Sequence, residues 1–209
     1  MQETTDPSLI PKMTGVPYVP YLEFESFSLY QKVLKKMRSS SIGRDRLWLS
    51  AYFHKELLSQ KLPLLSLRWI DAEMGWGVFA EKDLSSMEFI AEYSGLVRKR
   101  RRGDEENSYC FEYLMMPGEA TEYLIDAQDQ GGISRYINHS SGPNLSSSMI
   151  AHEGVSHIIL YTKAKIKKGE QLFYDYGPDY WKKRKPPVNL REESLAGGDL
   201  SIRTRGELP

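Results

Sequence analysis

The chain contains the stretch Arg135-Tyr136-Ile137-Asn138-His139-Ser140-Ser141-Gly142-Pro143-Asn144, and Gly169-Glu170-Gln171-Leu172-Phe173-Tyr174-Asp175-Tyr176-Gly177 follows it downstream. Gly142 frees the backbone and Pro143 removes a hydrogen-bond donor, so the first stretch ends in an irregular loop. Asn138 and His139 lie at the edge of that loop, where they can offer donors and acceptors to a polar ligand. Taken alone, the pair is more typical of an Asx-type turn beside a histidine whose ring nitrogens form hydrogen bonds within the protein.

The second stretch has the pattern of a turn followed by a short strand. Gly169-Glu170 predicts a tight turn, residues 171–174 predict the strand, and Tyr176-Gly177-Pro178 ends it. A tyrosine at the end of a strand, beside a glycine, can present its hydroxyl to a pocket. Because tyrosine favours strands anyway, Tyr174 and Tyr176 also fit two half-buried residues on a β-face.

Two glycine-containing pieces precede these stretches. They are Met74-Gly75-Trp76-Gly77-Val78-Phe79 and Glu92-Tyr93-Ser94-Gly95. Glycine lets a backbone pass close to a ligand, so the first piece can border a binding site. On its own this pattern is weak and often marks only a hairpin turn.

In this order and at these separations, the pieces resemble one family. Together with Tyr109-Cys110-Phe111 they are similar to the motifs of SET-domain protein lysine methyltransferases, over roughly residues 66 to 181. Within that family, the compact architecture and the run Asp175-Tyr176-Gly177-Pro178-Asp179-Tyr180-Trp181-Lys182 look closest to chlamydial SET proteins proposed to act as nuclear effectors. The resemblance implies a mainly β fold with α, in which small β-sheets follow an N-terminal helical segment. It also implies a pseudoknot between the loop 138–144 and the segment that ends at Tyr176.

The resemblance further implies a reaction, the transfer of a methyl group from S-adenosyl-L-methionine to a lysine side chain. Tyr176 is then the catalytic tyrosine, and Tyr109 lines the lysine channel and approaches the cofactor. Tyr174 stands where the family carries phenylalanine or tyrosine, a choice linked to the number of methyl groups added. Its phenol leaves less room for a multiply methylated nitrogen, which predicts mono- and dimethylation. A strand tyrosine paired with Phe111 is the alternative interpretation of Tyr109.

The residues expected to bind the cofactor come from separate parts of the chain. By resemblance they are Met74, Gly75, Trp76, Gly77, Tyr109, Asn138, His139, Tyr176 and Trp181. Trp181 closes the cofactor side in this interpretation, and it is equally typical of an aromatic residue at the edge of a core. Arg135 stands at its motif position, where a role in folding is favoured over one in catalysis. Ser141 replaces the cysteine common in the family, a change that preserves size.

Composition limits the classes of function. The chain has 28 basic and 28 acidic side chains, so we do not expect a uniformly basic nucleic-acid binder or direct DNA binding as the primary activity. Two local basic runs remain, Arg98-Lys99-Arg100-Arg101-Arg102 and Lys182-Lys183-Arg184-Lys185. The second is typical of a nuclear-import signal or, more commonly, of a solvated charge run. The single cysteine, Cys110, excludes an intramolecular disulfide and a thiolate-rich zinc cluster, and we expect no metal.

The sequence constrains the substrate less. Acidic residues cluster between the tyrosine motif and the Asn-His loop, where the family binds its peptide, and they favour a basic target. These residues are Glu112, Glu119, Glu122, Asp126 and Asp129. Ordinary solvated surface acids are at least as common. The resemblance favours histones or bacterial histone-like proteins and leaves self-methylation open. A non-catalytic SET-fold binding module and a chromatin adaptor are the alternative functions.

We predict three segments along the chain. Residues 1–63 form an N-terminal segment in which two amphipathic helices, over 23–37 and 47–60, follow an irregular start over 1–20. Residues 64–181 form the SET catalytic domain, with strands at 65–70, 77–80, 89–93 and 157–161. Residues 182–209 form a basic and then polar, disordered tail. The N-terminal helices cap the domain, pair two copies in a homodimer or recruit a partner, and the pattern does not distinguish these roles.

The chain lacks the patterns of membrane insertion and secretion. No apolar run approaches the roughly 18 residues needed to span a bilayer. The start, Met1-Gln2-Glu3-Thr4-Thr5-Asp6-Pro7, lacks the basic and apolar parts of a cleavable signal peptide. We therefore expect a soluble, cytoplasmic protein, and the chlamydial resemblance adds export and targeting to a host nucleus.

Overall fold

Short helices precede a series of short strands. The computed structural model describes residues 2–38, 44–113 and 121–181. Its helices are α1 Ile10–Thr14, α2 Phe27–Arg38, α3 Arg44–Tyr52, α4 His54–Ser59 and α5 Pro178–Trp181, with 3-10 turns at Pro7–Leu9 and Ile133–Tyr136. Its strands are β1 Glu3–Thr4, β2 Glu23–Phe24, β3 Leu65–Asp71, β4 Gly75–Ala80, β5 Phe89–Glu92, β6 Leu96–Lys99, β7 Cys110–Glu112, β8 Tyr123–Asp126, β9 Asn138–His139, β10 Leu145–His152, β11 Val155–Thr162 and β12 Phe173–Tyr174. The chain divides into two compact units, Met1–Asp175 and Tyr176–Pro209.

Within the described ranges the strands form four small sheets. Their strand orders are β1-β3-β4, β10-β11-β5, β2-β6-β8-β7 and β12-β9. The pairs β2 with β6 and β9 with β12 are parallel, and the other pairs are antiparallel. The expected mainly β fold with small sheets is confirmed.

The two motif stretches are threaded together where β9 meets β12. Asn138 is opposite Phe173, and His139 is opposite Tyr174. The Asn144 side chain fastens the crossing, because its Nδ2 donates to the Gln171 carbonyl at 2.8 Å and its Oδ1 accepts from the Phe173 amide at 2.8 Å. This crossing is the expected pseudoknot, and it brings together residues about 30 positions apart in the sequence.

Helix α2 packs on the main core through one apolar face. Leu29, Val33 and Met37, one turn apart, are buried in a cluster with residues of β6, β8 and β11. The helix predicted over 23–37 begins only at Phe27, because Glu23 and Phe24 instead extend the β6 sheet as β2. A pairing strand two residues long leaves no periodic pattern that would set it apart from the helix that follows.

The second predicted helix is divided in two at Phe53. Helix α3 ends at Tyr52 and α4 begins at His54, while Phe53 is 1% exposed and packs its ring against Phe89 and Tyr161. Burial of this ring accounts for the break, since it anchors the helices on the sheet of β5 and β11. Among the described residues, no helix is long and apolar enough to cross a membrane.

The expectation of an irregular start is wrong for part of residues 2–20. Strand β1 pairs with β3, and Glu3 forms an ion pair with Arg68 at 3.2 Å. Asp6 caps the 3-10 turn through the Ser8 amide, and Gly15 ends α1 in the left-handed region. Pro7 and Pro11 lie at the first turns of these helices, where proline is tolerated. The predicted segment limits at 63 and 181 stay predictions.

Candidate active site

Asn138 links the Asn-His loop to the glycine-rich strand β4. Its Nδ2 donates a hydrogen bond to the Trp76 carbonyl at 3.1 Å. Two segments about 60 residues apart in the sequence, each predicted to bind the same ligand, therefore touch directly. The amide fixes the backbone of β4 beside the loop and keeps its oxygen as a possible acceptor.

His139 lies beside Asn138, with 13% of its side chain exposed. Burial lowers the pKa of the imidazole, while Asp175, whose Oδ1 is 3.6 Å from Nδ1, and the Tyr174 backbone act in the opposite direction. Because burial is the largest of these effects, the ring is neutral at neutral pH. A neutral imidazole can both donate and accept a hydrogen bond at the edge of the site.

Strand β4 is shaped so that a side chain at Gly77 would not fit. A Cβ there would lie 2.6 Å from Ile70 Cδ1 and 2.8 Å from Gln171 Nε2. Gly75 has a φ of 69°, a left-handed conformation that favours glycine. The backbone of β4 is therefore held in close contact with Ile70 and Gln171.

The surroundings of β4 fit a ligand with both polar and apolar parts. Gln171 Nε2 is buried and has no hydrogen-bond partner among the described residues. Met74 and Trp69 are each 41% exposed, and the Trp69 ring lies 5.4 Å from that of Trp76. An unsatisfied buried donor beside exposed apolar side chains suits S-adenosyl-L-methionine, which combines charged and aromatic groups.

Tyr109 is fixed through its backbone while its side chain stays partly exposed. Its amide donates to Asn107 Oδ1 at 2.9 Å, and its carbonyl accepts from the Ala127 amide at 3.0 Å and the Tyr93 hydroxyl at 2.9 Å. The Arg135 guanidinium carbon lies 4.0 Å from the centroid of the Tyr109 ring. With 36% exposure, Tyr109 can border a channel.

Tyr174 belongs to a row of aromatic rings. It is 5% exposed and nearly parallel to Phe111, with ring centroids 6.4 Å apart, and Phe111 lies 5.0 Å from Tyr93. Since Tyr93 also bonds to the Tyr109 carbonyl, the row connects Tyr174 with Tyr109. The buried Tyr174 ring is thus linked through the row to the backbone of Tyr109.

Tyr176 and Trp181 belong to the second unit. Their rings are parallel within 6°, with centroids 6.2 Å apart, and Tyr180 meets the two rings edge-on at 4.7 and 4.8 Å. Helix α5 brings these aromatic side chains together within the unit. The predicted roles of Tyr176 and Trp181 stay predictions.

The basic run 98–102 is not a free cationic patch. Arg98 is 4% exposed and forms ion pairs with Asp104 at 2.6 Å and Asp126 at 2.7 Å. Lys99 pairs with Glu122 at 2.9 Å, and Arg101 pairs with Glu25. The run is therefore largely neutralised within the fold, which argues against a nucleic-acid contact there.

Some of the acidic residues predicted to bind a basic substrate are already paired with the basic run 98–102. Glu122 is bound by Lys32 as well as Lys99, and these two ammonium groups lower the pKa of its carboxyl to about 2. Asp126 is bound to Arg98, whereas Asp129 is exposed. Glu119 lies outside the described residues, as does the basic run 182–185.

Some residues of the site were not singled out from the sequence. Asn144 was quoted only as the end of a motif, and its two bonds across the crossing were not predicted. Tyr93 was quoted in the Glu-Tyr-x-Gly piece without its bond to Tyr109. Asn144 and Tyr93 both belong to the sequence motifs, and their position in those motifs is the only sequence signal for a structural role.

Residues 75–177 match the family model of the SET domain. Over this range the chain is similar to SET domains. The range holds β4, the Asn-His loop and the crossing of β9 with β12, so it includes the contacts described above.

Several relatives are similar to about half of the chain. The chain is 37% identical over 115 residues to human histone-lysine N-methyltransferase EHMT1, covering 52% of this chain and 9% of that protein. It is 34% identical over 129 residues to histone-lysine N-methyltransferase Su(var)3-9 of Drosophila melanogaster, covering 56% and 20%. It is 35% identical over 127 residues to an H3 lysine-4 specific histone-lysine N-methyltransferase of Aspergillus oryzae, covering 58% and 10%. The chain thus spans a fifth or less of these relatives.

A solved structure is also similar to this chain. It is that of KRYPTONITE in complex with mCHH DNA, an H3(1-15) peptide and SAH, with 30% sequence identity and a TM-score of 0.48. The likeness covers 57% of this chain and 25% of the other.

Proposed function

We propose that this chain is a protein-lysine N-methyltransferase that uses S-adenosyl-L-methionine and acts on histones or histone-like basic proteins. The observation that carries the proposal is the junction of Asn138 and His139 with Trp76 on one side and Tyr174 on the other, within the range that is similar to SET domains. The relatives named histone-lysine N-methyltransferases support the reaction type and the histone substrate.

The roles proposed for the side chains rest on the family resemblance and, for those in contact with β4 and the Asn-His loop, on the contacts described above. S-adenosyl-L-methionine supplies a methyl group on a positively charged sulfur. Met74, Gly75, Trp76 and Gly77 offer backbone and apolar contacts to it, and Asn138 and His139 offer polar ones. By the resemblance, Tyr109, Tyr176 and Trp181 are also proposed to bind it, with the hydroxyl oxygen of Tyr176 near the transferring methyl group.

The lysine must be neutral to accept a methyl group, although its reference pKa is about 10.4. The aromatic row of Tyr93, Phe111 and Tyr174 provides an apolar environment that disfavours an ammonium ion. Catalysis then rests on the alignment of the amine, the methyl carbon and the sulfur. This explains why the site is built from tyrosines instead of a strong base.

The degree of methylation is proposed from Tyr174. Its ring is buried in the row, and its phenol can hydrogen-bond the amine or an ordered water, which restricts the turning of a multiply methylated nitrogen. Mono- and dimethyl-lysine are therefore the proposed main products. Mass spectra dominated by trimethyl-lysine would contradict this assignment.

The test of the reaction is the transfer of label from methyl-tritiated S-adenosyl-L-methionine to core histones and bacterial histone-like proteins. We expect transfer by the wild type and a loss on the order of 10²-fold in Tyr176→Phe, because one oriented transition-state contact is removed. Binding of the cofactor by both proteins, measured by calorimetry, is the control for folding. Cofactor binding with no transfer to any protein, including the enzyme itself, would favour a binding module.

The cellular role is proposed as that of a nuclear effector, from the chlamydial resemblance and the basic run Lys182-Lys183-Arg184-Lys185. Self-methylation and homodimer formation belong to the same proposal. Replacing the four basic residues by alanine is expected to reduce nuclear accumulation in a host cell and to leave methylation of a short peptide unchanged. Equal nuclear accumulation of the two proteins would contradict the import role.

A further inference from the structure

Arg135 is a buried cation to which no carboxylate of the described residues is paired. It is 8% exposed on the 3-10 turn Ile133–Tyr136, directly before the Asn-His loop. Its Nε donates to the Ala127 carbonyl at 2.7 Å and its Nη2 to the Gln128 carbonyl at 3.1 Å. Among the described residues, no acidic side chain lies within ion-pair distance of it. Buried charges are ordinarily paired, so this arrangement is uncommon.

Two aromatic rings take the place of the missing counter-ion. The guanidinium carbon lies 4.0 Å from the ring centroid of Tyr109 and 4.7 Å from that of Tyr136. The negative face of an aromatic ring attracts a cation, but it carries no net charge. The positive charge of Arg135 is therefore held against Tyr109 without being neutralised by its contacts.

We propose that Arg135 is a positioning residue for methyl transfer, which fixes the Tyr109 ring and places a positive charge behind the lysine channel. The inference rests on the proposed function, in which Tyr109 borders that channel. The charge disfavours the ammonium form of the substrate lysine, so more of the bound amine is neutral. Two like charges about 8 Å apart, at an effective dielectric constant of about 20, shift a pKa by on the order of one unit.

The other titratable groups around Tyr109 do not place a second charge against its ring, so the charge of Arg135 can act on the substrate lysine. Tyr93 and Tyr136 are phenols whose hydroxyls donate to the Tyr109 carbonyl and to Thr14 Oγ1. The ion-pair cluster of Arg98, Asp104 and Asp126 carries one net negative charge, and Asp126 is joined to the Tyr109 backbone through the Asn107 side chain. Glu92, whose carbonyl accepts from the neighbouring Ser134, directs its carboxylate to His157 and Gln60. Arg135 alone among these charges lies against the ring.

The test is the pH dependence of kcat at saturating lysine peptide, because kcat reports the pKa of the amine in the bound complex. Arg135→Gln removes the charge and keeps a donor for the carbonyls, whereas Arg135→Lys keeps the charge. Arg101→Gln is the matched control, because it removes an exposed arginine that pairs with Glu25. Circular dichroism and calorimetric binding of the cofactor confirm folding, and Arg135→Met replaces Arg135→Gln if that variant does not fold.

We expect Arg135→Gln to move the acid limb of the pH profile upward by about one pH unit. Turnover should then be about tenfold lower than in the wild type at pH values below the limb and equal to it at pH values above the limb. Arg135→Lys and Arg101→Gln should keep the position of the wild-type limb. His139 titrates below its ordinary value and contributes at lower pH. An equal loss at every pH in Arg135→Gln, as a purely structural role predicts, or an unshifted limb would overturn the inference. Absence of transfer by the wild type would instead contradict the proposed function.

Discussion

At the scale of single residues, Gly77 shows how a motif position acquires a physical meaning. The sequence identifies it only as a glycine near a ligand, whereas the structure shows that a Cβ would meet Ile70 and Gln171. Neither neighbour could be known from the sequence, because Gln171 arrives from the second motif stretch. The motif therefore located the residue, and the fold explains it.

Gly77→Ala is expected to destabilise the protein by about 1–3 kcal/mol, since the added methyl group forces the Ile70 and Gln171 side chains to move. It should also weaken binding of S-adenosyl-L-methionine, measured by calorimetry. Gly142→Ala is the control, because nothing lies within 4 Å of the Cβ it would add. Equal melting temperatures for the two variants would contradict the steric explanation.

At the scale of elements, the sequence predicted helix α2 and strands β3, β4, β5, β11 and β12, and it missed, among others, the two-residue strands β2 and β9 and the eight-residue strand β10. The amphipathic helix α2 and the long strands β3 and β11 follow from apolar periodicity. Strands β2 and β9 are two residues long, and their pairing is decided by distant partners. The ion pairs of the basic run 98–102 also depend on distant partners, since Glu25 and Glu122 approach the run only in the folded chain.

Asn144→Ala is expected to lower the free energy of unfolding by about 2 kcal/mol, because it leaves the Phe173 amide and the Gln171 carbonyl without their partner. The crossing of β9 with β12 should loosen, so affinity for the cofactor should fall as well. Chemical denaturation and calorimetry measure the two effects. Ser147→Ala, at an exposed position of β10, is the control, and an equally small effect in both variants would refute the role of Asn144.

At the scale of the whole molecule, a histidine cluster joins the N-terminal helices to the central sheet. His54 of α4 and His152 of β10 face each other with their Nδ1 atoms 3.3 Å apart, and His157 of β11 bonds to Glu92 at 2.6 Å. If both His54 and His152 were protonated, two N–H groups would point at each other. The contact therefore requires that at least one of the two rings stays neutral.

Stability is expected to fall on acidification. Burial, with a smaller effect of His157, lowers the pKa of His152 below its ordinary 6.5, so the native state binds fewer protons than the unfolded one as pH decreases through that value. The contribution of His152 to the free energy of unfolding is fully present above about pH 6.5 and is lost as the pH falls below that value. Thermal unfolding at pH 7.5 and 5.5 should show a smaller difference in His152→Gln than in the wild type. Identical differences in both proteins would exclude His152 as the group responsible.

The crossing of β9 with β12 also sets when the site can exist during synthesis. Asn138 and His139 leave the ribosome about 35 residues before their partners Phe173 and Tyr174, and closing a loop of that length must precede any benefit from the contacts it allows. A nascent chain halted before residue 171 holds most of the sheets but neither Asn144 bond across the crossing. Competence to bind the cofactor is therefore expected only once residues 171–174 have left the ribosome, and premature termination between residues 138 and 171 yields a polypeptide that lacks the completed crossing.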